Sequence, residues 1–240
     1  MGDRHYFPSK SGPGDDRAWD PYEDATQHLV GLLQMLGVTT VAEVGCGYAG
    51  ITDTIARALG PSVTIYAIDI DPDAFVRTQE RGALPPSVIE VVQDVYQLML
   101  PCKVDAVVCR FFLLDLAEPL EALRAMRNCL RPGGHLILLE PITSTGRVGE
   151  HVVAADTTEI LHPDIGVRLV DLLEAIGADT IELASCTPIG MGASVVGRYL
   201  GAMTGVDPAP TAFVALPTLV SAWGYTTATT NLSTLERSLL

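Results

Sequence analysis

The stretch that decides the fold is "AEVGCGYAG", Ala42 to Gly50, in which Gly45, Gly47 and Gly50 form a G-x-G-x-x-G pattern. An apolar run, "TTVAEVG", leads into it, and a helix-like segment from Ile51 to Leu59 follows. A strand that ends in a glycine turn and opens a helix lets backbone approach a ligand closely, because glycine has no Cβ and tolerates positive φ.

Outward from this turn, short apolar runs alternate with amphipathic segments. Strands are expected at "SVTIYAID", "SVIEVVQ", "VDAVVCR" and "HLILLEP", and helices over 72–81 and from about Glu118 to Leu130. Near-continuous apolar strands separated by helices indicate a parallel sheet covered on both faces, an α/β fold. Upstream, "ATQHLVGLLQMLG" places Leu29, Leu32, Leu33 and Leu36 at helical spacing and stops at Gly37. Downstream, helices are expected around "VGEHVVAADTTEIL", "IGVRLVDLLEAIG" and "ASVVGRYLGAMTG", with strands at "DTIELASC" and "TAFVALPTLVSAWGY". Two late strands without a right-handed crossover suggest an antiparallel edge, and Pro217 calls for a bulge or an outward-facing position in the last one.

The chain divides into residues 1–24, a flexible arm or lid rich in turn formers, a domain over 25–225, and a tail over 226–240. Its 240 residues with 48% hydrophobic content suffice for one core. A net charge of −14 repels phosphate backbones and anionic membranes, so neither nucleic acid nor a membrane is an expected partner. The uncharged stretch from Pro208 to Leu235 is long enough to span a bilayer, but its prolines and β-branched residues suit a strand better. Five cysteines without a C-x-x-C read as reduced thiols. The first residues lack the apolar region of a secretory signal, and Tyr6 breaks the myristoylation pattern, so the expected location is cytoplasmic.

In an open parallel sheet the ligand crevice lies beyond the carboxyl ends of the strands. Glu43, Gly45, Asp69, Asp94 and Arg110 all fall at or just past such ends. Asp69 suits a carboxylate that accepts both ribose hydroxyls, with capping of the helix at Pro72 as the alternative; either a dinucleotide or S-adenosylmethionine offers that ribose. Glu43 separates the two. A carboxylate at the entrance of the turn opposes a diphosphate and favours a sulfonium and an ammonium.

"VAEVGCGYAGIT", "IYAIDIDP", "VVQDVYQL", the R-P-G-G turn at Arg131 to Gly134 within "VDAVVCRFFLLDLAEPLEALRAMRNCLRPGGHLILLEP", and "IGVRLVDLLEAIGA" follow one another at fixed spacing. In this the chain resembles the class I S-adenosylmethionine-dependent methyltransferases, in particular the small-molecule branch of quinone C-methyltransferases and natural-product tailoring enzymes, over roughly Gln27 to Tyr225. The resemblance implies a Rossmann-like doubly wound sheet of seven strands in the order 3-2-1-4-5-7-6 with strand 7 antiparallel. It also implies that Glu43, Gly45, Cys46 and Gly47 line the methionine end, Asp69 and Ile70 hold the ribose and flank the adenine, and Asp94 and Val95 meet the adenine edge. Arg110 and Phe111 would approach the methionine moiety from the other side. Asp94 has an alternative reading as the first residue of an Asx-turn. The chain departs from the family at Ala49, where a third glycine is usual, and at Asp115, near which relatives often carry a histidine.

Methyl transfer is an in-line displacement that asks the protein to align the reactants and exclude water; no metal is required, and the five histidines show no ligand spacing. His151 is the candidate general base, against the alternative of an exposed helix histidine, and Tyr22 with the arm aromatics Tyr6, Phe7 and Trp19 could close over an apolar acceptor. A hydrophobic or aromatic small molecule is the expected substrate, methylated on carbon, nitrogen or oxygen, by a monomer or homodimer. Competing readings are a cofactor-retaining relative that catalyses a cyclisation or other non-transfer reaction, and a regulatory module without chemistry. An NAD-linked dehydrogenase is a more distant reading, because no catalytic Tyr-x-x-x-Lys or similar dyad accompanies the glycine loop.

Overall fold

The central strands are apolar along almost their whole length because helices cover both faces of the sheet. In the computed structural model, which describes residues 21–81, 84–152, 160–204 and 208–225, they are β1 (Thr40–Val44), β2 (Thr64–Asp69), β4 (Val104–Arg110) and β5 (Leu130–Ile142), while β3 (Val88–Val92) is a half-exposed edge strand. Later come β6 (Arg147–Val148), β7 (His151–Val152), β8 (Thr180–Cys186), β9 (Ile189–Met191), β10 (Phe213–Ala215) and β11 (Thr218–Tyr225). The helices are α1 (Glu23–Met35), α2 (Gly50–Leu59), α3 (Pro72–Arg81), α4 (Pro119–Cys129), α5 (Leu169–Ala175) and α6 (Val195–Thr204).

The main sheet has seven strands in the order β3-β2-β1-β4-β5-β11-β8. β1 to β5 pair in parallel, and β11 runs antiparallel to both β5 and β8. With β8 and β11 counted as the sixth and seventh strands of this sheet, the order is the 3-2-1-4-5-7-6 that the resemblance implies. One face packs against α1, α2 and α6 through Leu29, Leu33, Ile55 and Leu200. The other packs against α4 and α5 through Leu123, Met126, Leu169 and Leu173. β4 lies at the centre and is buried from Val104 to Cys109.

A second sheet of four short strands, in the order β7-β6-β10-β9, was not expected from the sequence. It corrects two readings. The segment from Val148, expected as a helix, opens instead as a hairpin in which Val148 pairs with His151 around Gly149, whose φ of 58° suits a tight turn; residues 153–159 of that expected helix lie outside the described residues. The expected single last strand divides at Leu216 and Pro217: β10 joins the small sheet and β11 the large one. Proline cannot donate to a ladder, and a change of sheet is a place where no donation is needed.

The R-P-G-G segment lies inside β5 as an irregularity, not before it. Val104 of β4 pairs with Leu130, and two residues later Ala106 pairs with His135, with Gly133 at φ 75° absorbing the extra chain. The first helix begins at Glu23, ahead of the domain boundary read at Ala25, and Tyr22 before it is fully buried. Residues 1–20 of the arm and 226–240 of the tail lie outside the described residues. Among the described residues no helix is long and apolar enough to cross a membrane.

Candidate functional site

The turn after β1 uses three left-handed residues in five: Gly45 at φ 71°, Gly47 at φ 51° and Ala49 at φ 54°. Ala49, and not Gly50, therefore occupies the position that favours glycine, and it is buried at the start of α2. The N–H groups of Gly45 and Cys46 both donate to the Ile68 carbonyl of β2, at 2.9 and 3.0 Å. Gly47 N–H donates to Oδ2 of Asp69 at 2.8 Å. These bonds fasten the turn to the neighbouring strand end. Gly45 is required for a second reason: a Cβ there would lie 2.1 Å from Cδ2 of Phe112, whose ring rests against the turn.

Glu43 is buried within the last turn-ward residues of β1, with only 2% of its surface exposed. Its Oε2 accepts from the Thr52 hydroxyl of α2 at 2.6 Å. Burial raises its carboxyl to about 7, opposed by the Thr52 bond and by the Arg110 guanidinium, while Asp69 raises it further. Glu43 is thus a buried acid beneath the turn, poised between charged and neutral forms near neutrality. Burial, followed by the nearby Glu43 and Asp69, pushes the Cys46 thiol far up, so it stays protonated.

Asp69 ends β2 and accepts from two backbone donors, Gly47 N–H through Oδ2 and Asp71 N–H through Oδ1 at 3.0 Å. A carboxylate has about four lone-pair sites, so each oxygen can take a further donor. The capping alternative falls to Asp71, whose Oδ1 accepts from Asp73 N–H in the first turn of α3. Ile70 is 65% exposed, an apolar side chain left open beside Asp69. Gln93 N–H donates to the Asp69 carbonyl at 3.0 Å, which brings the end of β3 alongside. Asp94 then makes the Asx-turn of its alternative reading, Oδ1 accepting from Tyr96 N–H at 3.0 Å, while among the described residues Oδ2 has no partner. Val95 is buried in the core.

Arg110 and Phe111 end β4 on the opposite side of the turn. The Arg110 guanidinium donates to the Thr26 hydroxyl of α1 at 3.0 Å and lies 5.3 Å from the centre of the Phe111 ring. Phe111 in turn meets the Tyr22 ring edge-on at a centroid distance of 5.3 Å. The Tyr22 hydroxyl donates to the Pro217 carbonyl at 2.8 Å, which joins α1 to the link between β10 and β11. Tyr22 is therefore a buried anchor beside the site. His151 lies on β7, the edge strand of the small sheet, and is exposed. Three participants were not singled out from the sequence: Thr52, Phe112 and Glu140. Glu140 is a lone acid in the apolar run "LILLEP", the same signal that marks Glu43 in "VAEVG".

The chain is similar to known proteins in sequence and in fold. The sequence pattern of the family described as "Methyltransferase domain" matches residues 42–136. Nodulation protein S of Rhizobium tropici is 30% identical over 164 residues, covering 66% of this chain and 67% of that protein. The ubiquinone biosynthesis O-methyltransferase of Xanthomonas campestris pv. campestris (strain B100) is 36% identical over 103 residues, 41% of each chain, so the match spans about two fifths of that relative. The crystal structure of N-methyltransferase NodS from Bradyrhizobium japonicum in complex with S-adenosyl-L-homocysteine superposes with a TM-score of 0.53 at 18% identity, covering 86% of this chain and 88% of that one.

Proposed function

Because this chain belongs to the class I S-adenosylmethionine-dependent methyltransferases, we propose that it methylates a small hydrophobic or aromatic metabolite by in-line displacement. The observation that carries the reading is the joined turn: Asp69 holds Gly47 N–H with lone pairs to spare, over a buried Glu43 that disfavours a diphosphate. When bound, the cofactor would supply an electrophilic methyl group carried on a sulfonium, for transfer to the acceptor with S-adenosylhomocysteine as the other product.

The residues present fit that cofactor. Asp69 has acceptor capacity for the two ribose hydroxyls, Asp94 Oδ2 for the adenine amine, and Ile70 an open apolar surface for the adenine face. The backbone from Gly45 to Gly47 and the side of Phe111 and Arg110 would flank the methionine end. For the acceptor, the small sheet presents Phe213, Ile189 and Met191 exposed, and it joins the large sheet where Thr218 N–H donates to the Thr145 hydroxyl at 2.7 Å, past the carboxyl end of β5. His151 on that sheet is the proposed acceptor for the proton of an N–H or O–H substrate. The five free cysteines and the net charge of −14 support a reducing, cytoplasmic setting and a partner other than nucleic acid.

The test is incubation with S-adenosylmethionine and a panel of phenols, quinols and aromatic amines, read as S-adenosylhomocysteine formed. Formation that depends on one acceptor class supports the proposal. Cofactor binding without turnover on any of them argues for a non-transfer role.

A further inference from the structure

Glu140 is a buried acid at the same rim that the methyl-transfer reading leaves unused. Its side chain, near the carboxyl end of β5, is fully buried, and one oxygen, Oε1, accepts from two successive backbone donors, Phe112 N–H at 2.9 Å and Leu113 N–H at 2.8 Å. Phe111 N–H, one residue earlier, donates to the Leu139 carbonyl at 3.0 Å, so the end of β5 holds three consecutive amides of the segment after β4. Those amides converge because Phe111 sits at φ 52°, in the left-handed region, and successive N–H groups in such a turn form a concavity for an oxygen. The short 3-10 helix that follows, Leu113–Asp115, takes no side-chain cap from Phe112, and Glu140 fills that place from across the sheet. Cys109 Sγ also lies 3.8 Å from Oε1. The second oxygen, Oε2, is buried with no partner among the described residues.

The loop held in this way carries the two rings that border the glycine turn. Phe112 abuts Gly45 at the site of a missing Cβ, and Phe111 lies between the Arg110 guanidinium over its face and the Tyr22 ring set edge-on to it. We propose that Glu140 is a positioning residue whose Oε1 sets the Phe111–Phe112 loop against the turn and so shapes the site of the methionine end of the cofactor and the approach of the acceptor. This rests on the methyl-transfer reading above. Burial drives the carboxyl up to about 8 against the pull of the Leu113, Phe112 and Leu114 amides, so a neutral side chain with the same acceptor suffices.

The test compares Glu140→Gln, which keeps an acceptor oxygen, with Glu140→Leu, which keeps the volume and loses it. Amide hydrogen exchange at Phe112 and Leu113 reads the loop directly, and calorimetry with S-adenosylmethionine reads its consequence. The glutamine variant is expected to hold amide protection and cofactor affinity within about twofold of wild type, while the leucine variant loses protection at both amides and binds about tenfold more weakly. Equal protection and affinity in the leucine variant would overturn the proposal. If that variant does not fold, glutamine alone decides: a tenfold loss of affinity in a folded glutamine variant would overturn it, and retained affinity with retained protection supports it. Wild type that fails to bind S-adenosylmethionine would overturn the methyl-transfer reading instead, whereas the exchange data bear on the clamp by themselves.

Discussion

Replacing Glu43 by glutamine should stabilise the protein at alkaline pH and leave it unchanged in acid. The carboxyl sits at about 7 in the folded chain against an ordinary 4.5, and it is 2% exposed, so solvent screens it little. The folded chain keeps this proton up to about pH 7, and the unfolded chain releases it near 4.5. Between those values the folded state binds more protons, and stability falls as pH rises. That displacement corresponds to about 3 kcal/mol lost by pH 8. Glutamine cannot ionise, and its Oε1 can still accept from the Thr52 hydroxyl now bonded at 2.6 Å. Urea unfolding of wild type and Glu43→Gln at pH 4.5 and pH 8 measures the effect: curves that nearly coincide in acid and a gain of about 3 kcal/mol at pH 8 are expected. The same substitution removes the negative charge beneath the turn, so affinity for S-adenosylmethionine at pH 8 should fall as stability rises. A stability difference that is the same at both pH values would refute the reasoning, because it would show that ionisation of Glu43 carries no penalty.

Ala49→Gly should raise the midpoint of thermal unfolding, since a left-handed φ of 54° costs an L-residue about 1–2 kcal/mol and glycine gives back only part of that gain in the unfolded chain. Asp69→Ala removes the acceptor of Gly47 N–H and the proposed ribose contact, and calorimetry should show affinity for S-adenosylmethionine reduced about tenfold or more. Tyr22→Phe should destabilise the fold by about 1 kcal/mol in urea unfolding, because it leaves the Pro217 carbonyl without its buried donor.

The large sheet was legible because parallel strands covered on both faces must be apolar throughout, and β1, β2, β4 and the second half of β5 read that way directly. The strand ends were legible for the converse reason: Glu43, Asp69, Asp94 and Arg110 interrupt apolar runs at the rim where such sheets place ligands. The small sheet was not. Its strands have two or three residues, too short for any periodicity, and Val148 and Val152 fit helical spacing until Gly149 turns the chain back. Pairing of β10 with β6 and β9 depends on contacts distant in sequence, which a local pattern does not encode. The same limit hid the bond from Arg110 to Thr26 and the three amides gathered by β5.

Titration calorimetry of the wild-type chain with S-adenosylmethionine and, separately, with NAD tests the central claim most directly, since the two share an adenosine and differ in the charge that meets Glu43. Saturable association with the sulfonium compound and none with the diphosphate is the expected result. Heat of association with NAD alone would contradict the account.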